Sequence, residues 1–322
     1  MKGPSVAESK GGSETHRGSG AAPRGFEESP AGHPAGIPMD ESPSMAAFSV
    51  DVEDYFQVES LRPICPRSSW ETFEDRTERN TELVLTILED MGARGTFYLL
   101  GWTAVRHTAL VRRITAAGHE IASHGFDHDL VYHQGPDRFR QDVRRARRCL
   151  QDLSGQPVLG YRAPAYTIMN RTWWALSILA DEGYRYDSSI YPIARRRYGM
   201  PRAHRWPQRL SLDGGAAMVE FPLPTARLGK VNLPVTGGAY LRLLPFSYQV
   251  WCVRRLVNAK RPFVLSIHPW ELDPKQPRMP VNARTRLTHY HNLESTEKRL
   301  RFLLGLAAYR SQATVLSQLN LL

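Results

Sequence analysis

The sequence predicts an α/β protein built on a mostly parallel sheet, and three observations carry that prediction. From Met45 onward, short apolar runs of strand length alternate with amphipathic segments of helical period. Glycine closes these helical segments in turn, at Gly92, Gly118, Gly155 and Gly183. Polar residues suited to chemistry cluster at the ends of the expected strands, where parallel α/β folds gather their ligands. Whether the sheet stays open or closes into a barrel is not decided by local pattern.

Each element follows from its own residues. Residues 1–44 are rich in Gly, Pro, Ser, Ala and Glu and have almost no large apolar side chains, so a disordered tail is expected there. Ala46 to Val52 reads as the first strand, followed by a loop bearing Tyr55, Phe56, Trp70 and Phe73. Leu83, Val84, Ile87, Leu88 and Met91 recur at helical spacing, which predicts a helix over residues 78–91. G-T-F-Y-L-L-G is the second strand, residues 104–117 the next helix, and E-I-A-S-H the third strand. Helices are expected at 137–153 and 171–182, the second capped by Asn170, with strands at 158–162 and 184–188. Residues 190–245 are irregular and rich in Pro, Gly and Arg, and read as an insertion with short strands such as M-V-E-F-P. A helix at 246–258, a strand at 263–268, a final helix at 295–309 and a short terminal strand complete the reading. No repeat, Gly-rich phosphate loop or G-x-S-x-G turn is present.

Length and composition bound the class. The chain has 322 residues, 42% hydrophobic and 23% charged, which is ordinary for a globular protein. Its formal charge of +10 is not ordinary, and much of the excess lies in residues 138–148 and in Arg195, Arg196 and Arg197. Two readings compete for these runs: solvated helix and loop faces, or attraction for an anionic polymer or membrane headgroups. No basic stripe interleaved with aromatics marks a nucleic-acid module. Cys65, Cys149 and Cys252 are few, odd in number and form no CxxC, which favours a reducing compartment. No apolar run is long enough to span a bilayer and the N-terminus lacks a signal layout, so a cytoplasmic location is expected, with peripheral membrane association left open.

The chemistry-bearing residues fall into four groups at strand ends: Asp51, Glu53 and Asp54; His124 and His128; Arg162; and His268. His-x3-His would place two imidazoles one helical turn apart, a spacing that suits a divalent metal. Two His and one carboxylate leave positions open on zinc, the pattern of a catalytic site. Asp51 and Glu53 are two apart on a strand and so share a face; Asp54 is the alternative ligand if the strand ends earlier. Each residue also has an ordinary explanation: a loop cap for Asp51, a surface pair for Arg162, a buried imidazole for His268. Their common placement favours metal-assisted hydrolysis, with one carboxylate as base, His268 as acid and Arg162 holding the base ionised.

Taken in order, D-V-E-D (51–54), H-x3-H (124–128), R-A-P-A-Y (162–166) and L-S-I-H (265–268) resemble the motifs of the polysaccharide deacetylases with the NodB homology domain, carbohydrate esterase family 4. D-V-E-D-Y-F-Q-V, T-F-Y-L-L-G-W, Y-D-S-S-I-Y-P, G-G-A-Y-L-R-L-L-P and I-H-P-W-E-L-D resemble the branch encoded with bacterial exopolysaccharide and exosortase loci. The resemblance implies a distorted (β/α) barrel of about seven strands over residues 45–268, with 269–322 as a C-terminal extension packed on the same domain. It implies a divalent metal, most often Zn2+, and removal of N-acetyl groups from hexosamines of a bacterial exopolysaccharide, alongside the machinery that makes that polymer.

By the same resemblance Asp51 is the base, His124 and His128 are metal ligands, and Glu53 or Asp54 is the third. Arg162 tethers the base, the Tyr166 backbone N–H helps hold the oxyanion, His268 is the acid, Leu265 lines the acetyl pocket, and Asp187 orients His268. The chain departs from the family in one place: D-V-E-D replaces two adjacent aspartates followed by Gly, which leaves the third ligand open between Glu53 and Asp54. Tyr55, Phe56, Trp102, Tyr166 and Trp270 are candidate sugar platforms or plain core. Two other functions fit the same residues: an inactive glycan-binding scaffold in a polymer-export complex, and a hydrolase of another C–N amide such as a ureide.

Overall fold

A computed structural model describes residues 45–322, together with residues 1 and 3. The tail expected over 1–44 lies otherwise outside the described residues. The elements run β1 (Ala46–Val52), α1 (Thr77–Asp90), β2 (Thr96–Leu99), α2 (Gly101–Arg106), α3 (Thr108–Ala116), β3 (Glu120–Ser123), α4 (Pro136–Ser154), β4 (Gly160–Tyr161), α5 (Trp174–Asp181) and β5 (Tyr186–Asp187). They continue with β6 (Gln208–Ser211), β7 (Ala217–Glu220), β8 (Thr225–Leu228), β9 (Val231–Pro234), α6 (Ala239–Leu243), α7 (Phe246–Asn258) and β10 (Phe263–Ile267). The last elements are α8 (Ala283–Tyr290), α9 (Leu293–Leu304), β11 (Tyr309–Arg310) and α10 (Gln312–Gln318).

The main sheet has the order β10-β1-β2-β3-β4-β5-β7-β6, with β11 also pairing to β1. Every pairing in it is parallel except β6 with β7, and β8 and β9 form a separate antiparallel hairpin. The sheet curls into a half-barrel, and among the described residues β10 and β6 do not join. This is the mixed α/β, barrel-type architecture the sequence implies. Every residue of β1 is buried, as befits a central strand of a parallel sheet covered on both faces.

Strand alternation sorts the two faces. Phe48, Val50 and Val52 of β1 join Phe97, Ile87, Leu88, Val111 and Val143 in the core between sheet and helices. Leu265 belongs to that core too, on the opposite face of β10 from Ser266. On the concave face, Ala47, Tyr98, Ala122, Tyr186 and Val264 meet Val315 and Leu316 of α10. The Tyr98 hydroxyl donates to Gln312 Oε1 at 2.7 Å, so α10 plugs the hollow of the half-barrel. A third cluster at the mouth contains Tyr55, Phe56, Trp70, Trp102, Phe126 and Trp270. Four of the five candidate sugar platforms are therefore core: Tyr55, Phe56, Trp102 and Trp270 are at most 7% exposed.

Several elements differ from expectation. The helix expected at 104–117 begins at Gly101 and breaks at His107, whose backbone (φ −119°, ψ 53°) is not helical. The strand expected at 158–162 pairs only at Gly160–Tyr161, and the one at 184–188 only at Tyr186–Asp187. The C-terminal segment holds three helices rather than one, and β11 is followed by α10 instead of closing the chain. Cys65, Cys149 and Cys252 are all unpaired. Among the described residues no helix is long and apolar enough to cross a membrane.

Candidate active site and metal centre

Asp51 ends the inward face of β1, and its Oδ1 accepts a 2.6 Å hydrogen bond from Arg162 Nη1. Arg162 follows β4 directly and is fully buried. Its guanidinium also donates to Ser49 Oγ (2.8 Å), the Ser188 carbonyl (3.0 Å) and Ser188 Oγ (2.9 Å), and lies 4.1 Å from the Tyr98 ring centre. A buried guanidinium so fully satisfied is rigid, and it fixes the rotamer of Asp51. The second Asp51 oxygen faces the Tyr166 hydroxyl at 3.5 Å and His268 Nε2 at 3.8 Å.

Glu53, His124 and His128 converge beside this pair, their ligand-type atoms all within 4.8 Å of one another. Glu53 Oε1 is 2.9 Å from His124 Nε2 and 3.0 Å from His128 Nε2. The helical spacing expected for the two histidines is not what joins them: residues 124–130 form no helix. Gly125 (φ 78°) and His128 (φ 58°) both take left-handed backbone, and the loop folds back so that the rings lie 5.4 Å apart. For His128 that conformation costs about 1 kcal/mol, a strain at the point where the chain turns a ligand inward. Asp142 on α4 ties the loop down, accepting from the Phe126 N–H at 3.0 Å. A side chain on Gly125 would come within 2.9 Å of Asp142 Oδ2.

The donor chemistry fits a cation. His124 Nδ1 is 2.8 Å from the Arg162 carbonyl, which can only accept, so the proton sits on Nδ1 and the Nε2 lone pair faces Glu53. Lone pairs at 2.9 Å repel unless the imidazole is doubly protonated or a cation lies among them. Burial would raise the Glu53 carboxyl, but the charge of His128 and the closeness of both imidazoles hold it well below the usual carboxylate range. Glu53 is thus a carboxylate ready for a divalent ion.

Asp54 lies one residue on and serves another purpose. Its carboxylate accepts from the N–H groups of Tyr55 (2.7 Å) and Arg76 (2.5 Å) and from the Thr77 hydroxyl (3.3 Å), which ties the loop after β1 to the start of α1. Asp187 stands apart from His268: it accepts from the Ser189 hydroxyl (2.6 Å) and pairs in register with Glu220 on β7. Burial first, and the charge of Asp187 second, drive Glu220 well above the carboxylate range. The Tyr166 N–H donates to the Ala163 carbonyl at 3.0 Å, a bond that an oxyanion would have to share. Ala165 and Tyr166 both have left-handed backbone (φ 50° and 57°) in this short loop.

His268 follows β10 and is oriented by Glu271, whose Oε1 is 2.8 Å from Nδ1. Burial pulls the imidazole pKa down, but the Glu271 hydrogen bond and the charges of Glu53, Glu271 and Asp51 lift it to about 9. Sequence reasoning missed Glu271 and Asp142. The spacing His268–Glu271, one 3₁₀ turn, was the available signal for the first; nothing distinguishes Asp142 within its arginine-rich helix.

Residues 63–186 match the family Polysaccharide deacetylase, and residues 188–317 match a family described as Domain of unknown function (DUF3473). The two matched regions meet inside one sheet, since β6, β7 and β10 come from the second. A chitooligosaccharide deacetylase from Azorhizobium caulinodans is 30% identical over 95 residues, 29% of this chain and 45% of that protein. The chain spans less than half the length of the curated relatives compared. The fold is shared with a candidate polysaccharide deacetylase from Mycobacterium smegmatis (TM-score 0.57, 20% identity, 89% of this chain and 94% of that one). It is shared equally with Puue allantoinase (TM-score 0.57, 13% identity, 85% and 90%). Residues 63–186 therefore match the Polysaccharide deacetylase family and residues 188–317 the DUF3473 family, and the second region completes the sheet of the first.

Proposed function

We propose that the protein is a metal-dependent hydrolase that removes N-acetyl groups from hexosamine residues of a bacterial exopolysaccharide. The observation that carries this reading is the meeting, in one buried cluster, of a tethered carboxylate, an oriented imidazole and a Glu-His-His set. Glu53, His124 and His128 would hold a divalent cation, for which the nitrogen and oxygen donors suit Zn2+, and which when bound supplies positive charge for polarising the amide carbonyl.

The chain's own residues carry the proton transfers. Asp51, ionised beside Arg162, accepts a proton from the attacking water, whose oxygen forms the new bond to the acetyl carbon. His268 then donates a proton to the sugar nitrogen as the C–N bond breaks, leaving acetate and a free amine. The raised His268 pKa suits an acid that must be charged at neutral pH, although a cation on Glu53 cancels part of that lift. Base and acid must hold opposite protonation states, so a bell-shaped dependence of rate on pH is expected.

Acetate release from N-acetylglucosamine oligomers, with and without chelator and re-added Zn2+, tests the reading. Chelation should abolish release and metal should restore it. Turnover of a cyclic ureide in place of the oligomer would assign the site to another amide, and an absence of both reactions from metal-loaded protein would leave a glycan-binding scaffold.

A further inference from the structure

The contact between Glu271 and His268 continues behind the imidazole as a chain of buried residues. Glu271 Oε1 contacts both the His268 Nδ1 (2.8 Å) and the His268 backbone N–H (3.1 Å). Its other oxygen, Oε2, accepts from Arg242 Nε at 2.8 Å. Glu271 is fully buried and Arg242 is 1% exposed. The rest of the Arg242 guanidinium donates to backbone carbonyls at the end of α8: His289 at 2.7 Å, Thr288 at 2.9 Å and His291 at 3.2 Å. The C-terminal end of a helix carries partial negative charge and unsatisfied carbonyls, so it is a natural seat for a buried cation.

Trp270 braces this chain from the side. Its ring stacks on His289 with centres 4.3 Å apart and planes 9° from parallel, and Arg242 lies 5.0 Å from it. Arg242, Glu271 and α8 all belong to residues 188–317, the DUF3473 region.

We propose that Glu271 is the positioning residue for His268, and that Arg242, anchored on the carbonyls of α8, holds Glu271 in place, so that the DUF3473 region supplies the support for the acid of the site. This rests on the hydrolase reading above. Glu271 accepts from Nδ1–H, which leaves Nε2 as the nitrogen that faces Asp51 and delivers the proton. Without an ionised acceptor at Nδ1 the ring can flip or change tautomer, and Nε2 no longer points into the site. Asp187, the sequence candidate for this duty, is occupied with Ser189 and Glu220 instead.

A leaving-group comparison separates positioning from mere support of the fold. An amide needs its nitrogen protonated as it leaves; 4-nitrophenyl acetate has a leaving group that does not. Glu271→Gln should lower kcat on N-acetylglucosamine oligomers by ~10- to 100-fold with KM little changed, and lower the rate on the ester much less. Glu271→Asp should recover part of the amide rate. An equal loss on amide and ester, or full amide activity in Glu271→Gln, overturns the proposal.

Because the neutral variant leaves Arg242 buried without its charged partner, which costs stability, nitrogen-15 NMR of the wild-type imidazoles provides a second measurement. His268 should show a protonated, strongly hydrogen-bonded Nδ1, assigned by loss of its signals in His268→Gln. A signal from Nδ1 lacking that bond overturns the proposal whatever the variants do. If the NMR signature is present while neither substrate turns over, the positioning stands and the hydrolase reading fails.

Discussion

At the scale of single residues, the proposed reaction gives each member of the candidate site a separable duty. Asp51→Asn keeps the size of the side chain but cannot take a proton, and Arg162 retains the acceptors Ser49 and Ser188. Acetate release should fall by ~10²- to 10⁴-fold while metal content stays stoichiometric. A loss of metal from this variant would make Asp51 a ligand instead. His124→Ala removes a lone pair from the Glu-His-His set, so metal content by atomic emission should fall along with turnover. The sequence made the set of residues legible but not the duties of neighbours. Glu53 and Asp54 are adjacent and chemically alike, and only the course of the chain after Val52 turns one carboxylate to the histidines and the other to the start of α1. Glu271 looked like an ordinary charge in H-P-W-E because its partner, Arg242, is 29 residues away in sequence.

At the scale of elements, long segments with strong periodicity were readable and short or curved ones were not. β1, β10, α1, α4 and α7 carry clear patterns and lie where those patterns put them. β4 and β5 shrink to two residues each, since the chain leaves the ladder at once to enter the loops bearing Arg162 and Ser188–Ser189. α8 was invisible because its one buried residue is His289, which leaves no apolar stripe to detect. The loop after β3 was misread as helical because His-x3-His has helical spacing whatever the backbone does. Gly125 is what lets that loop turn. Gly125→Ala imposes a Cβ on left-handed backbone and drives it against Asp142 Oδ2 at 2.9 Å. Metal affinity should weaken by about tenfold or more, as for lost outer partners of a ligand, with global stability down by roughly 1–3 kcal/mol. Zinc titration beside a thermal melt would read both; unchanged affinity would free the loop from this duty. Gly160→Ala makes a contrasting element-scale test. Its Cβ would sit 2.2 Å from the Tyr186 ring, so β4 and β5 must part, and Tm should fall with no direct effect on the metal.

For the molecule as a whole, stability against acid and the distribution of charge both follow from what is buried where. His119 and His289 are buried and neutral: burial first, then Arg94 for one and Arg242 for the other, lowers them to about 4 and about 3. A lowered folded pKa means the unfolded chain takes up protons first, so stability is lost as pH falls from 6.5 toward those values, at about 1.4 kcal/mol per pH unit for each residue. Burial lifts Asp54 and Asp142 to about 7 and about 6, which act in the opposite sense over the same range. The difference between wild type and His289→Gln isolates one imidazole: urea midpoints should show the wild type losing ground to the variant between pH 6.5 and 5, and a constant gap would refute it.

Charge is divided as unevenly as the sheet is shared. Residues 188–317 carry 21 Lys and Arg against 6 Asp and Glu, whereas the rest of the chain carries 21 against 26, so the whole surplus comes from the DUF3473 region. Some arginines elsewhere pair locally, as Arg140 and Arg144 do with Glu182. Arg195, Arg196 and Arg197 are exposed and have no carboxylate partner among the described residues. Arg195 donates instead to the Tyr240 hydroxyl, two residues from Gly238, which lies against the His268 ring. Three of these positive charges therefore lie on a loop that reaches toward His268, a placement that would raise the local concentration of an acidic polymer. The protein should be retained on an immobilised polyuronate at low ionic strength and released as salt rises past about 0.15 M, where the Debye length is about 8 Å. Arg195→Ser/Arg196→Ser/Arg197→Ser should elute earlier and flatten the salt dependence, with a melt equal to wild type to show that the fold is kept. Identical elution of the two proteins would return these arginines to the role of a solvated face.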